Sequence, residues 1–172
     1  LLDDHSVKLV EWIRKGSRIE AVKTTDGQLS ANQICVATGP WSHETLSGLG
    51  VDVPVEPLRG QMLMWQFEQP ILQRVINEGP RYLISRKDGR LLAGSTVEDV
   101  GFDDRTTTDG IAELTEFATG LIPSMRVRNP TAVWAGLRPG SRDGFPYLGR
   151  LPHLDNVIVA TGHFRSGIHL AP

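Results

Sequence analysis

Gln33-Ile34-Cys35-Val36-Ala37-Thr38-Gly39-Pro40 decides the fold of this chain, because the same kind of stretch recurs as Asn156-Val157-Ile158-Val159-Ala160-Thr161-Gly162. Each is a short, almost wholly apolar run halted at Thr-Gly, as expected of a strand buried on both faces. In open α/β sheets ligands sit at the carboxyl ends of such strands, where glycine lets the backbone approach closely and a helix start offers unpaired N–H donors. The two junctions stand about 120 residues apart, and a simple turn at each is the alternative to a ligand site.

The inserted and flanking segments read as strands with one clear helix. Val7 to Arg14, Arg18 to Thr24 and Gln28 to Asn32 form a β-meander, turned at Lys15-Gly16-Ser17 and Asp26-Gly27. Ser42 is placed to cap a short helix that Gly48 and Gly50 end. Pro54 to Phe67 is extended and carries Met62, Met64, Trp65 and Phe67, read as core. Arg81 to Ser85 and Arg90 to Thr96 flank Lys87-Asp88-Gly89 as a hairpin. Ile111, Leu114, Phe117, Ala118 and Leu121 recur at helical spacing from Asp109, and Pro123 closes that helix. Ala132 to Arg138 reads as a further strand.

Composition excludes several classes. The 172 residues are 40% hydrophobic with a net charge of -2, enough for one good core or two small ones. Acidic and basic residues are interspersed, with no basic run to track nucleic acid. No apolar stretch reaches the roughly 20 residues of a membrane span, and Leu1-Leu2-Asp3-Asp4-His5 lacks the features of a signal peptide. The single cysteine, Cys35, leaves no internal disulfide, fits a reducing cytoplasm and reads as inert packing inside its apolar strand. The histidines at 5, 43, 153, 163 and 169 show no metal-ligand spacing, so no metal is expected. Asp103-Asp104 reads as a solvated loop, and Ser42 and Ser166 lack a recognisable acid–base partner.

Two arginines point to chemistry. Trp134-Ala135-Gly136-Leu137-Arg138-Pro139-Gly140 and Gly162-His163-Phe164-Arg165-Ser166-Gly167-Ile168 each set one cation among apolar residues and glycines. A guanidinium desolvated in such company needs an anion. Either it grips a ligand carboxylate or phosphate in a planar, bidentate way, or it forms a buried pair with Asp143 or Asp155.

With these residues in view, the chain resembles the carboxyl-terminal half of the flavin-dependent D-amino acid oxidases, most nearly the glycine oxidases tied to thiamine biosynthesis. The resemblance runs from about Val7 to Pro172. It is carried by Val36 to Ser42, Leu58-Arg59-Gly60-Gln61, Tyr82 to Arg90, Trp134 to Gly140 with Asp143, Pro146 and Gly149, and Gly162 to Pro172. It implies an α/β plus α+β fold: part of a FAD-binding α/β domain with an interleaved antiparallel-sheet substrate domain. Residues 1–57 and 135–172 would belong to the former and 58–134 to the latter.

The resemblance also implies roles. Arg138 matches an arginine that clamps the substrate carboxylate, Tyr82 a tyrosine whose hydroxyl helps hold it, and Arg165 a second active-site arginine. Thr38, Gly39 and Trp41, with Gly162, His163, Arg165, Ser166, Gly167 and Ile168, match the segments lying along FAD. The implied reaction is oxidative deamination of glycine or a small D-amino acid with release of hydrogen peroxide, without a general base. A sarcosine oxidase, a D-amino acid dehydrogenase and a cofactor-free binding module stay open as alternatives, as does self-association.

The amino-terminal strand and Gly-x-Gly-x-x-Gly turn that hold the pyrophosphate in that family do not occur in this sequence. The chain is therefore expected to be a piece of a longer oxidase, lacking the ADP half of the site and holding no stoichiometric flavin by itself.

Overall fold

The computed structural model describes residues 7–170; the readings made on the first five residues, His5 among them, lie outside it. The fold is mixed α/β, and the chain forms two compact units. One takes the described residues up to Glu56 and those from Arg138 onward, and the other is Pro57–Leu137.

The first unit opens with a meander of β1 (Leu9–Lys15), β2 (Arg18–Thr24) and β3 (Gly27–Leu29). Then come β4 (Ile34–Val36) and helix α1 (Ser42–Ser47). The second unit holds most of β5 (Val55–Gln66), then β6 (Ile76–Glu78), β7 (Arg81–Ser85), β8 (Arg90–Gly94) and helix α2 (Thr108–Leu121). Strand β9 (Ala132–Ser141) leads back into the first unit, which ends with β10 (Tyr147–Arg150), β11 (Val157–Thr161) and α3 (Gly167–Leu170).

In the first unit β11 is the middle strand of the order β10-β11-β4, antiparallel to β10 and parallel to β4. Val159 pairs with Val36 in that parallel register. Val36 turns into the core, while Cys35 and Ala37 point to the other face of this edge strand and are exposed. This corrects the expectation of a strand buried on both faces and of Cys35 as internal packing.

One buried side chain ties the meander to this sheet. The Asn156 amide donates to the Ile19 carbonyl and accepts from the Ile19 N–H, both at 2.9 Å. Its own carbonyl accepts the Ile34 N–H at 2.8 Å. Asn156 thus pairs with β2 as a neighbouring strand would, while its main chain starts the β11–β4 pairing. Ile19, Leu46, Val53 and Val157 fill the core around it.

In the second unit the sheet runs β6-β7-β8-β5-β9. Leu63, Trp65, Leu83, Leu91 and Ala93 turn to one face and pack with Leu114, Phe117 and Ala118 of α2. Each fully buried leucine or phenylalanine contributes about 1.5–3 kcal/mol. The alternation that buries Leu63 and Trp65 sends Met62 and Met64 to the other face, where both are half-buried. The four-residue cluster expected as core therefore divides between two faces.

The buried guanidinium of this chain belongs to Arg59. Its Nε and Nη2 donate to Glu98 Oε2 at 3.1 and 2.6 Å, and its Nη1 lies 3.3 Å from Asp103 Oδ2 and 3.0 Å from the Arg105 carbonyl. Gln61, fully buried, donates to Glu98 and Thr107 and accepts the Thr107 N–H, while Thr107 Oγ1 caps α2 by accepting the Gly110 N–H at 3.1 Å. Gly110 has to be glycine in that first turn, since a Cβ there would fall 2.2 Å from Gln61 Nε2. Asp103, expected in a solvated loop, is held by Arg59 and Arg105.

Burial alone would raise the Glu98 pKa, but hydrogen bonds from Arg59, Thr96 and Gln61 outweigh it and hold the carboxyl below its ordinary value. The Arg105 side chain and N–H, with Arg59 behind them, lower Asp103 strongly.

Two stability predictions arise here. Asn156→Ala strands both main-chain groups of Ile19 and should lower unfolding free energy by about 2–4 kcal/mol in urea denaturation; a loss below about 1 kcal/mol would contradict the strand-mimic role. For Glu98 and Asp103 the folded pKa lies below the unfolded one, so their contribution is fully present above the unfolded values and fades as pH falls through the folded ones. Arg59→Ala should cost about 3 kcal/mol at neutral pH and flatten the Glu98 part of this acid limb, read from denaturation midpoints across pH.

Candidate functional site

The β4–β11 pairing brings the two strand-to-glycine junctions together. Gly39 and Gly162, just beyond the strands, take φ of +55° and +76°, the left-handed region where glycine is favoured. Two buried hydroxyls clasp the junctions: Ser42 Oγ lies 2.7 Å from both the Gly39 carbonyl and Thr161 Oγ1, and Thr161 Oγ1 lies 3.0 Å from the same carbonyl. Thr38 Oγ1 is 3.2 Å from Ser42 Oγ. Ser42 was expected as a helix cap. Its hydroxyl caps nothing and joins segments 119 residues apart in sequence.

Beside this clasp Thr38 and Trp41 are exposed, Trp41 at 50%, on the wall of an open groove of about 980 Å³ shared with Val7, Leu9, Ala37 and Gly39. A Cβ added to Gly39 would meet nothing within 4 Å, so the main chain is open there. Around the other junction, Gly162 packs against Tyr147 and Ser141. Ser141 Oγ is shut off from solvent and has no hydrogen-bond partner among the described residues.

The segment after Gly162 folds back onto β9. The Phe164 N–H donates to the Pro139 carbonyl at 2.9 Å, so the neighbour of Arg165 is bonded to the neighbour of Arg138. Phe164 takes φ of 47°, a conformation costing a bulky residue about 1–2 kcal/mol, and this hydrogen bond helps hold it. His163 is half-buried, Gly167 is half-buried at the start of α3, and Arg165, Ser166 and Ile168 are exposed. Arg138 is half-buried, on the face of β9 it shares with Trp134 and Gly136.

Desolvation therefore does not explain Arg165, whose exposure corrects the expectation of an enclosed guanidinium there; Arg138 is half-buried. Of the alternative partners, Asp143 accepts the Phe145 N–H at 3.0 Å and Asp155 accepts the Ser17 hydroxyl.

Thr38, Gly39, Trp41, Arg138, Gly162, His163, Arg165, Ser166, Gly167 and Ile168 all belong to the first unit; Tyr82 belongs to the second. Tyr82 lies on the face of β7 opposite the α2 core, with Ile84. Its hydroxyl is 3.4 Å from Met62 Sδ. The sequence offered no sign of that contact, because it forms across three strands. Among the described residues no three His, Cys, Asp or Glu side chains form a metal cluster.

Comparison with known proteins agrees with this architecture. The model of the FAD dependent oxidoreductase family matches residues 4–172. A glycine oxidase of Pseudomonas aeruginosa is 41% identical over 161 residues, covering 94% of this chain and 44% of the relative. The glycine oxidase of Bacillus subtilis is 34% identical over 152 residues, covering 88% and 41%. The crystal structure of glycine oxidase from Geobacillus kaustophilus superposes with a TM-score of 0.86 at 31% identity, over 95% of this chain and 44% of that one. The chain thus spans less than half the length of these relatives. On the family match over nearly its whole length, this chain belongs to the FAD dependent oxidoreductases.

Proposed function

We propose that this chain supplies the substrate-carboxylate and flavin-facing part of an oxidase that acts on glycine or a small D-amino acid, in the thiamine-biosynthetic setting its resemblance implies. The observation that carries the reading is the Phe164–Pro139 hydrogen bond, which ties the segment bearing Arg165 to the strand bearing Arg138. The glycine oxidase relatives support the substrate class.

The residues present suit FAD. Left-handed Gly39 with open space beside it and a half-exposed Trp41 ring offer a surface for a flat aromatic group. The unpartnered Ser141 hydroxyl next to Gly162 offers a polar atom to a ligand edge. In this reading Thr38, Gly39, Trp41 and Gly162 to Ile168 hold the cofactor. Bound FAD supplies acceptance of a hydride equivalent from the α-carbon and its transfer to oxygen as hydrogen peroxide.

The protein's own work is positioning and polarisation. Arg138 grips the substrate carboxylate through parallel N–H donors, a geometry a lysine does not reproduce. The Tyr82 hydroxyl donates a further hydrogen bond to that group, and Arg165 adds positive charge. An amino acid bound with its amine neutral needs no base, and water hydrolyses the imine product to a keto acid and ammonia.

Peroxide release on adding glycine to the whole FAD-loaded oxidase of which this chain is the proposed part tests the reading. Arg138→Ala should raise the KM for glycine about 10- to 100-fold, with urea stability within about 1 kcal/mol of the parent, since one charge-assisted contact is lost. If the substitution unfolds the protein while the folded fraction keeps a normal KM, the clamp role is wrong.

A further inference from the structure

Met62 and Tyr82 are each the cross-strand partner of Gly94, on β5, β7 and β8. All three positions therefore point off the face opposite the α2 core. With no side chain at 94, the Met62 thioether lies across β8. A Cβ built on Gly94 would fall 2.2 Å from Met62 Sδ, 2.8 Å from its Cε and 3.2 Å from Tyr82 Cζ. Glycine at 94 is what lets sulfur and phenol meet, and the Tyr82 hydroxyl donates to Met62 Sδ at 3.4 Å. On the same face Met64, Ile84 and Leu92 have no side-chain oxygen or nitrogen, while Asn77, the partner of Tyr82 on β6, carries an amide; the hydroxyl is bonded to the sulfur.

A half-buried phenol without any acceptor would be held poorly, and one bonded to an amide or carboxylate would be held too well to be given up. Thioether sulfur lies between these limits: it is a weak acceptor, easily displaced by an anionic oxygen. Resting on the carboxylate-binding reading above, we propose that Met62 is a positioning residue for Tyr82. Its sulfur is a placeholder acceptor that orients the hydroxyl before substrate arrives and releases it to the substrate carboxylate. Gly94 is the opening through which this exchange is built.

This chain contributes Met62, Met64 and Met125, so its signals in a methyl-13C methionine spectrum of the whole FAD-loaded oxidase are assigned by three single substitutions. Tyr82→Phe should shift the Met62 methyl and leave that of Met125, which lies in the α2 core. Acetate, a carboxylate with no amine to oxidise, should move the Met62 methyl in the same direction as it saturates.

In steady-state kinetics Met62→Gln, which offers a stronger acceptor, should raise the KM for glycine about fivefold, and Met62→Leu, which offers none and leaves the hydroxyl unoriented, should raise it about twofold. Both differences should vanish in the Tyr82→Phe background, which a purely structural role for Met62 would not produce. Acetate binding seen by calorimetry with an unmoved Met62 methyl overturns the placeholder and leaves the carboxylate reading standing. Absence of acetate binding defeats the carboxylate reading and the placeholder with it.

Discussion

Asn156 is the constraint on which the first unit depends. An amide side chain that satisfies both main-chain groups of Ile19 fixes β2 beside the start of β11, and the same residue's carbonyl sets where β4 begins to pair. The register that follows places Val36 against Val159, so the chain leaves both strands at the same level of the sheet. Only then do Ser42 and Thr161 meet, and only then do two left-handed glycines from opposite ends of the chain lie on one side. A buried amide bonded through both its oxygen and its nitrogen is a narrow geometric requirement, which suits it to setting register.

The guanidinium groups of Arg59, Arg138 and Arg165 differ in exposure. Arg59 is enclosed, paired with Glu98 and Asp103, and joined through Gln61 to the cap of α2. Arg138 and Arg165, in the first unit, are more open to solvent. A buried guanidinium is a brace because removing it strands carboxylates away from water. Exposure, which the flanking residues do not reveal, separates the two kinds.

Much of the local structure was legible. Lys87-Asp88-Gly89 marked the β7–β8 hairpin, and the spacing from Ile111 to Leu121 marked α2 to within a residue of its start. What stayed hidden was set by long-range pairing. Alternation along β5 shows that Met62 and Trp65 face opposite ways, but not which of them meets α2, so both were assigned to the core. Tyr147–Arg150, broken by Gly149, looks like loop until β11 pairs with it. An apolar run such as Ile34 to Ala37 reads the same at a sheet edge as in its centre, and Cys35 was misplaced for that reason. The resemblance drew attention to Arg59 and Gln61 without a role, which their contacts with residues about 40 positions later supply.

Membership of the FAD dependent oxidoreductases assigns the cofactor class, while the chain covers less than half of the glycine oxidases it matches. Electron transfer from a small amino acid held by these residues is the central claim. Anaerobic mixing of the whole FAD-loaded oxidase with glycine, followed by flavin absorbance, tests it without recourse to oxygen. Bleaching of the yellow band at a rate that saturates with glycine is the predicted result; an unchanged spectrum at saturating glycine would contradict the account.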